Sequence, residues 1–140
     1  MKQFAFETMT LAEKEKRILM AEENVRQYDN KEALALFMLM KETGIRLSDL
    51  VDLKQENLQG TELHVIERKY SSTKLYQYTD GSFPCISNET LEMLVPDEDG
   101  KFFHHNKEYY LRVFKNAIPD KTFRCHCIRD YVLHKRRKIQ

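Results

Sequence analysis

Long apolar runs are missing from this sequence of 140 residues. The richest apolar stretch, Ala33 to Met40, has fewer than half of the roughly 20 residues that a membrane-spanning helix needs. Glycine and proline are also scarce, with four and three residues, while the composition is 41% hydrophobic and 32% charged. These features exclude a membrane span and a low-complexity or disordered chain, and they indicate one globular domain with a hydrophobic core.

Cysteine is scarce as well, and Cys85, Cys125 and Cys127 make an odd number. No signal-peptide pattern begins the sequence, so we predict a cytoplasmic protein with free thiols. The run Cys125-His126-Cys127 contains metal-ligating residue types, but neighbouring helix positions point in different directions and no second ligand pair has zinc spacing. We therefore predict neither a metal nor a cofactor.

The charge is distributed unevenly, although the formal net charge is only +1. Residues 121–140 contain seven lysines and arginines against one acidic residue, Asp130, while the rest of the chain is mildly acidic. Such asymmetry predicts that a polyanion binds near this end of the sequence.

Helical periodicity and capping residues predict six helices. The first helix begins at Thr10 with Glu13, the second runs from Asp29-Asn30 to Gly44, and the third begins at Ser48. The fourth lies between Ser87 and Pro96, the fifth ends at Pro119, and the sixth begins near Arg124. Between the third and fourth helices, residues 62–65 and 74–78 alternate as strands do, and a third strand is predicted at 83–86. We predict an α+β fold that is mainly α, with a small three-stranded antiparallel sheet, as a single domain over residues 1–140.

Two motifs flank the predicted sheet. Residues 43–50 read Thr-Gly-Ile-Arg-Leu-Ser-Asp-Leu, and residues 126–129 read His-Cys-Ile-Arg. In this order they resemble the two arginine segments in the catalytic domain of tyrosine recombinases, the phage-integrase family, which usually has Glu in place of Asp49. The resemblance covers roughly residues 10–138 and implies the fold of that domain and a role in DNA recombination or integration.

The resemblance implies a catalytic set of Arg46, Lys69, His126 and Arg129. The family transfers a DNA phosphodiester onto a tyrosine, and two guanidinium groups hold the phosphate oxygens as charge develops on them. His126 and Arg129 are three residues apart on a helix and face the same phosphate. A hairpin lysine protonates the leaving oxygen; Lys69 fits best, and Lys74 competes with it.

The chain departs from the family at its C-terminal end. The family places a His or Trp and then the nucleophilic tyrosine well beyond the second motif, whereas Gln140 follows Arg129 by eleven residues and Tyr131 is too close. By the resemblance, we also expect this chain to lack the family's N-terminal DNA-clamping domain, and Asp130 would oppose a phosphate if it pointed inward. We expect a DNA-binding protein that is inactive alone, with strand transfer only if a tyrosine lies beyond residue 140 or comes from another subunit.

Two alternatives remain open: a non-catalytic DNA-binding or regulatory module derived from a recombinase, and a small helix-turn-helix regulator. The second would use Leu47 to Lys54 as its recognition helix and present acidic residues to the DNA, which is unfavourable. The expected partners are double-stranded DNA and other recombinase subunits. We expect Arg46, His126 and Arg129 to converge on a positive pocket with the Lys69–Thr73 turn at its rim. The expected DNA contacts are Lys74, Arg124, Lys135, Arg136, Arg137 and Lys138.

Overall fold

The computed structural model describes residues 6–59, 62–67, 72–77 and 86–139. Within these ranges, the α-helices are α1 Leu11–Tyr28, α2 Lys31–Thr43, α3 Leu47–Leu50, α4 Asn88–Met93, α5 Lys107–Ala117 and α6 Cys125–Ile139. The strands are β1 Leu58–Gln59, β2 Glu62–Glu67 and β3 Ser72–Gln77. The described part of the chain is therefore mainly helical, as predicted.

Capping residues set the ends of the first two helices. The Thr10 side chain accepts a hydrogen bond from the Glu13 N–H, and the Glu13 carboxylate accepts one from the Thr10 N–H, so both halves of the predicted capping box are present. Asn30 caps α2 by accepting from the Ala33 N–H. Gly44 ends α2 at φ 79°, where its N–H donates to a carbonyl of the last turn. These helix ends confirm the prediction.

The strands pair antiparallel in the order β1-β2-β3. Strands β2 and β3 pair from Glu62 opposite Gln77 to Glu67 opposite Ser72. The short strand β1 was not predicted. The predicted third strand at 83–86 lies outside the described residues except for its last residue, which is in no strand. Strands β2 and β3 thus cover most of the predicted strands at 62–65 and 74–78, whereas the strand beside them, β1, is not the predicted third one.

Helix α2 lies at the centre of the core. Every side chain from Ala35 to Met40 is buried, and α1, α5 and α6 pack around this helix. Phe37 meets Phe114 of α5 edge-to-face and stacks on Phe123, each at a ring-centroid distance of 6.1 Å. The predicted buried helix is confirmed, and α2 is the element against which the others are positioned.

None of the helices in the described ranges is both long enough and apolar enough to cross a membrane.

Candidate nucleic-acid interface

The turn between α2 and α3 carries the first predicted site residue. Gly44 and Ile45 separate the end of α2 from Arg46, which occupies the N-cap position of α3 in an extended conformation, φ −68° and ψ 146°. The Arg46 carbonyl accepts a hydrogen bond from the Leu50 N–H at 3.1 Å. Arg46 is half-buried, whereas its neighbours Ile45 and Leu47 are buried. The core therefore fixes the backbone that carries Arg46.

Helix α6 packs directly against this turn. Arg129 donates from Nη1 to the carbonyl of Gly44 over 2.6 Å, and Arg136 donates from Nη2 to the carbonyl of Thr43 over 2.7 Å. A Cβ built on Gly44 would lie 2.9 Å from Cγ1 of Val132, so glycine is needed both for its positive φ and for this close approach. Residues 85 positions apart in the sequence thus meet at the end of α2.

These two arginines satisfy carbonyl groups that the end of a helix leaves without an intrahelical partner. A structural role as a cap is therefore sufficient to explain their positions. Arg129 nevertheless has five N–H donors, and the contact with Gly44 uses one of them. Capping and anion binding are compatible for this side chain.

Asp130 follows Arg129, and its carboxylate lies 2.7 Å from the Nζ atom of Lys14 on α1. Lys14 is only 1% exposed, so the ion pair is shielded from water on that side. The negative charge beside Arg129 is thus neutralised in the contact between α1 and α6. Sequence reasoning missed Lys14 because lysines of amphipathic helices almost always face solvent.

Tyr131 is buried, and its hydroxyl donates to the Glu15 carboxylate at 2.8 Å. Desolvation and, after it, the hydrogen bond to Glu15 raise the pKa of Tyr131 above its ordinary value. A tyrosine that is buried and protonated in this way is a poor nucleophile at neutral pH.

The basic residues predicted to contact DNA divide between the two ends of α6. Arg124 is exposed just before the helix, where it donates to two backbone carbonyls of its own loop. Lys135 and Arg136 are half-buried near the other end, and Arg137 and Lys138 are exposed. At 1.5 Å per residue, about 18 Å of helix separates Arg124 from Arg136. His126 is exposed one turn before Arg129.

The pKa of His134, in the C-terminal half of α6, is affected by burial and by neighbouring charges. Burial, and then the nearby charges of Lys14, Arg137 and Lys138, lower the pKa of His134 below its ordinary value. This histidine is therefore neutral at pH 7. The cations of α1 and α6 contribute to this lowered pKa, and the carboxylate of Asp130 opposes it.

The two candidate hairpin lysines are placed differently. Lys69 lies outside the described residues, and so does most of the predicted turn that contains it. The backbone of Lys74 lies in β3 opposite Val65 of β2. Strand β2 also packs against α3, so the hairpin lies beside the element that follows Arg46.

The Cys125-His126-Cys127 run does not form a metal site in α6. Cys125 is half-buried, His126 is exposed and Cys127 is buried, so the three residues do not face one point. Desolvation raises the pKa of Cys125 to about 12 and also raises the pKa of Cys127, which disfavours the thiolate that metals bind. Within residues 6–139, apart from the undescribed gaps, no three His, Cys, Asp or Glu residues are grouped to hold a metal.

The recognition helix proposed for a helix-turn-helix regulator, Leu47 to Lys54, is wrong. Helix α3 spans only Leu47–Leu50, and Leu47, Asp49 and Leu50 are buried. A single turn with its side chains in the core cannot present several residues to base edges in a major groove.

Sequence reasoning also missed a polar cluster at the first turn of α2. His104 Nδ1 lies 2.7 Å from Glu32, and His104 Nε2 lies 3.0 Å from Asp97. The Tyr110 hydroxyl donates to the same Glu32 carboxylate. The hydrogen bond to Glu32 is the largest cause that raises the pKa of His104. The only local sign of this cluster in the sequence was Glu32 itself, an acidic residue in the first turn of a helix, where the helix dipole favours a negative charge.

Comparisons with family models, with curated proteins and with solved structures give no match for this chain. An assignment of function therefore depends on the contacts of its own residues.

Proposed function

We propose that the protein binds double-stranded DNA through a phosphate site formed by Arg46, His126 and Arg129, as its resemblance to tyrosine recombinase catalytic domains implies. The observation that supports this most directly is the hydrogen bond from Arg129 to the carbonyl of Gly44. It joins the two motifs that carry the resemblance. In this proposal, the guanidinium group of Arg46 joins that of Arg129 at the turn, where the two offer paired hydrogen bonds to a phosphate.

The surrounding charges support the same proposal. Lys14 neutralises Asp130, the acidic residue next to Arg129. Arg137 and Lys138 are exposed at the end of the same helix and can reach further phosphates. A mainly helical domain with a small antiparallel sheet is also compatible with the architecture of the proposed family.

The proposed binding is non-covalent. Arginines can stabilise a phosphoryl transition state, but strand transfer also needs an aligned nucleophile. Tyr131 is buried against Glu15 and does not supply one. In this proposal, recombination requires a tyrosine from another recombinase subunit or from outside this sequence.

The test is fluorescence anisotropy of an end-labelled duplex over a series of salt concentrations. Arg137→Gln/Lys138→Gln should reduce the slope of log affinity against log salt by about 1.8, because each phosphate contact contributes about 0.9. Arg136 is left intact because it also caps α2. The matched control is Lys31→Gln/Lys107→Gln, which removes two exposed lysines at the starts of α2 and α5.

An equal change of slope in both double variants would show that α6 is not the binding surface, and absence of binding would contradict the proposed function.

On a denaturing gel, a nicked suicide substrate incubated with the protein should run without an adduct. An adduct that survives Tyr131→Phe would show that another residue acts as a nucleophile.

A further inference from the structure

A groove of about 800 Å³ lies between the end of α5 and the start of α6, and the proposed phosphate site does not use it. Apolar residues that line it include Phe114, Ile118 and Phe123. Phe114 and Ile118 are buried, and Phe123 is half-buried. One face of the Phe123 ring stacks on Phe37 with an interplanar angle of 16°. The groove therefore has an aromatic floor that the core supports from behind.

The rim of the groove is cationic. Lys115, Lys121 and Arg124 are exposed there, and the one carboxylate among the lining residues belongs to Asp120. Arg17 of α1 donates to that carboxylate at 3.0 Å. Because Asp120 is already paired, the charges that face an occupant are positive. An aromatic floor with a cationic rim is complementary to an aromatic group that carries a negative charge.

The groove adjoins the proposed phosphate site along α6. Cys125 lines the groove and precedes Arg129 by four residues. Residues four apart lie on the same face of a helix, about 6 Å apart along its axis. A DNA strand with one phosphate at Arg129 therefore has its neighbouring nucleotide next to the groove.

We propose that this groove receives an unpaired nucleotide of a DNA strand, with the base against the exposed part of Phe123 and the phosphate at Lys121 and Arg124. A paired base cannot enter, since it is stacked within the duplex. The inference rests on the proposed DNA binding and extends it to the form of DNA that is preferred. Stacking of one base on an aromatic surface corresponds to about tenfold in affinity.

The experiment compares two end-labelled duplexes of one sequence, one fully paired and one with a single-nucleotide bulge, by fluorescence anisotropy at one salt concentration. The wild-type chain should bind the bulged duplex about tenfold more tightly. Leu111→Trp, at the groove and 39% exposed, should fill the groove and remove this preference. Leu19→Trp, on α1 and 48% exposed, is the matched control and should retain it.

A second pair of variants tests the rim without adding bulk. Lys121→Glu should lower the ratio of the two affinities, whereas Lys16→Glu, an exposed lysine of α1, should leave the ratio unchanged. Equal wild-type affinities for the two duplexes would overturn the inference and leave the proposed DNA binding intact. Absence of binding to either duplex would overturn both. A preference that persists in Leu111→Trp and Lys121→Glu would overturn the groove as its location.

Discussion

Charged side chains of opposite sign lie at the two ends of α2: its own acid Glu32 at the first turn, and two arginines of α6 at the last turn. At its first turn, the Glu32 carboxylate accepts hydrogen bonds from His104 and Tyr110. At its last turn, Arg129 and Arg136 donate to the carbonyls of Gly44 and Thr43. An acid near the N-terminus and cations at the C-terminus both complement the dipole of the helix.

The difference between the ends lies in how each responds to its surroundings. The first end depends on a histidine and on carboxylates, which titrate in the accessible pH range, whereas guanidinium groups stay charged throughout it. The second end also coincides with the proposed phosphate site, so the proposal gives Arg129 a second role beside its contact with the Gly44 carbonyl. Its loss must therefore be measured in stability as well as in DNA binding.

The largest expected effect comes from breaking the C-terminal end of α2 with Gly44→Ala. This variant should lose about 3 kcal/mol of unfolding free energy, because it combines a strained positive φ with a Cβ placed 2.9 Å from Val132. Gly100→Ala is the matched control, since Gly100 also has a positive φ of 81° but its nearest neighbour is 3.8 Å away. Gly100→Ala should lose only about 1 kcal/mol, from backbone strain. Urea denaturation measures both, and equal losses would show that Val132 moves aside without cost.

Arg129→Ala should have the next largest effect, a loss of about 2 kcal/mol, because a charged donor to the Gly44 carbonyl is removed. Arg129→Lys keeps the charge but not the planar fork, so it should recover part of the stability and less of the DNA affinity. Arg112→Ala, at an exposed position of α5, should change stability by less than about 0.5 kcal/mol. Urea denaturation with anisotropy on the same samples gives both quantities, and an unchanged stability of Arg129→Ala would contradict the capping role.

The smallest effect is expected at the first end of α2, and it should depend on pH. The pKa of His104 is raised above 6.5, so its contribution to stability is complete below pH 6.5 and is lost as pH rises through the folded pKa. Burial alone would raise the pKa of Glu32, but the hydrogen bonds from Tyr110 and His104 together outweigh it and lower the pKa below 4.5. The contribution of Glu32 to stability is therefore lost as pH falls through that lower value. The stability difference between wild type and His104→Gln should therefore be greatest between about pH 4.5 and pH 6.5.

Urea denaturation of both chains at about pH 5.5 and about pH 8.5 checks this window. The same comparison in a Glu32→Gln background is the control, because the main partner of His104 is then uncharged. A difference that does not shrink at the higher pH would show that the cluster is not held by its charges. A pH-dependent difference that survives in full in the Glu32→Gln background would show that Asp97, 3.0 Å from Nε2 of His104, is its main partner instead of Glu32.

Much of the helical framework could be predicted from the sequence because its signals are local. The Thr10 capping box, the Asn30 cap and the Gly44 end each depend on residues within four positions of one another. The placement of α2 in the core followed from an apolar run with no polar face.

The contacts that build the candidate site could not be predicted in the same way. Arg129 meets Gly44 across 85 positions, and His104 meets Glu32 across 72 positions. Nothing in the local pattern distinguishes an arginine that caps a distant helix from one that faces solvent. The motif order suggested that Arg46 and Arg129 belong together, but it gave no sign of the structural role that Arg129 has at α2.

The ion pair between Lys14 and Asp130 has a consequence for the order in which the protein can form during synthesis. Lys14 belongs to the first α-helix of the described chain, and Asp130 belongs to the last. Until the ribosome has released α6, burial of Lys14 would leave a desolvated charge without its partner, at a cost of several kcal/mol. We expect the nascent chain to keep this face of α1 in water while α2 to α5 emerge. We therefore expect the native packing of α1 to be completed only after α6 has left the ribosome.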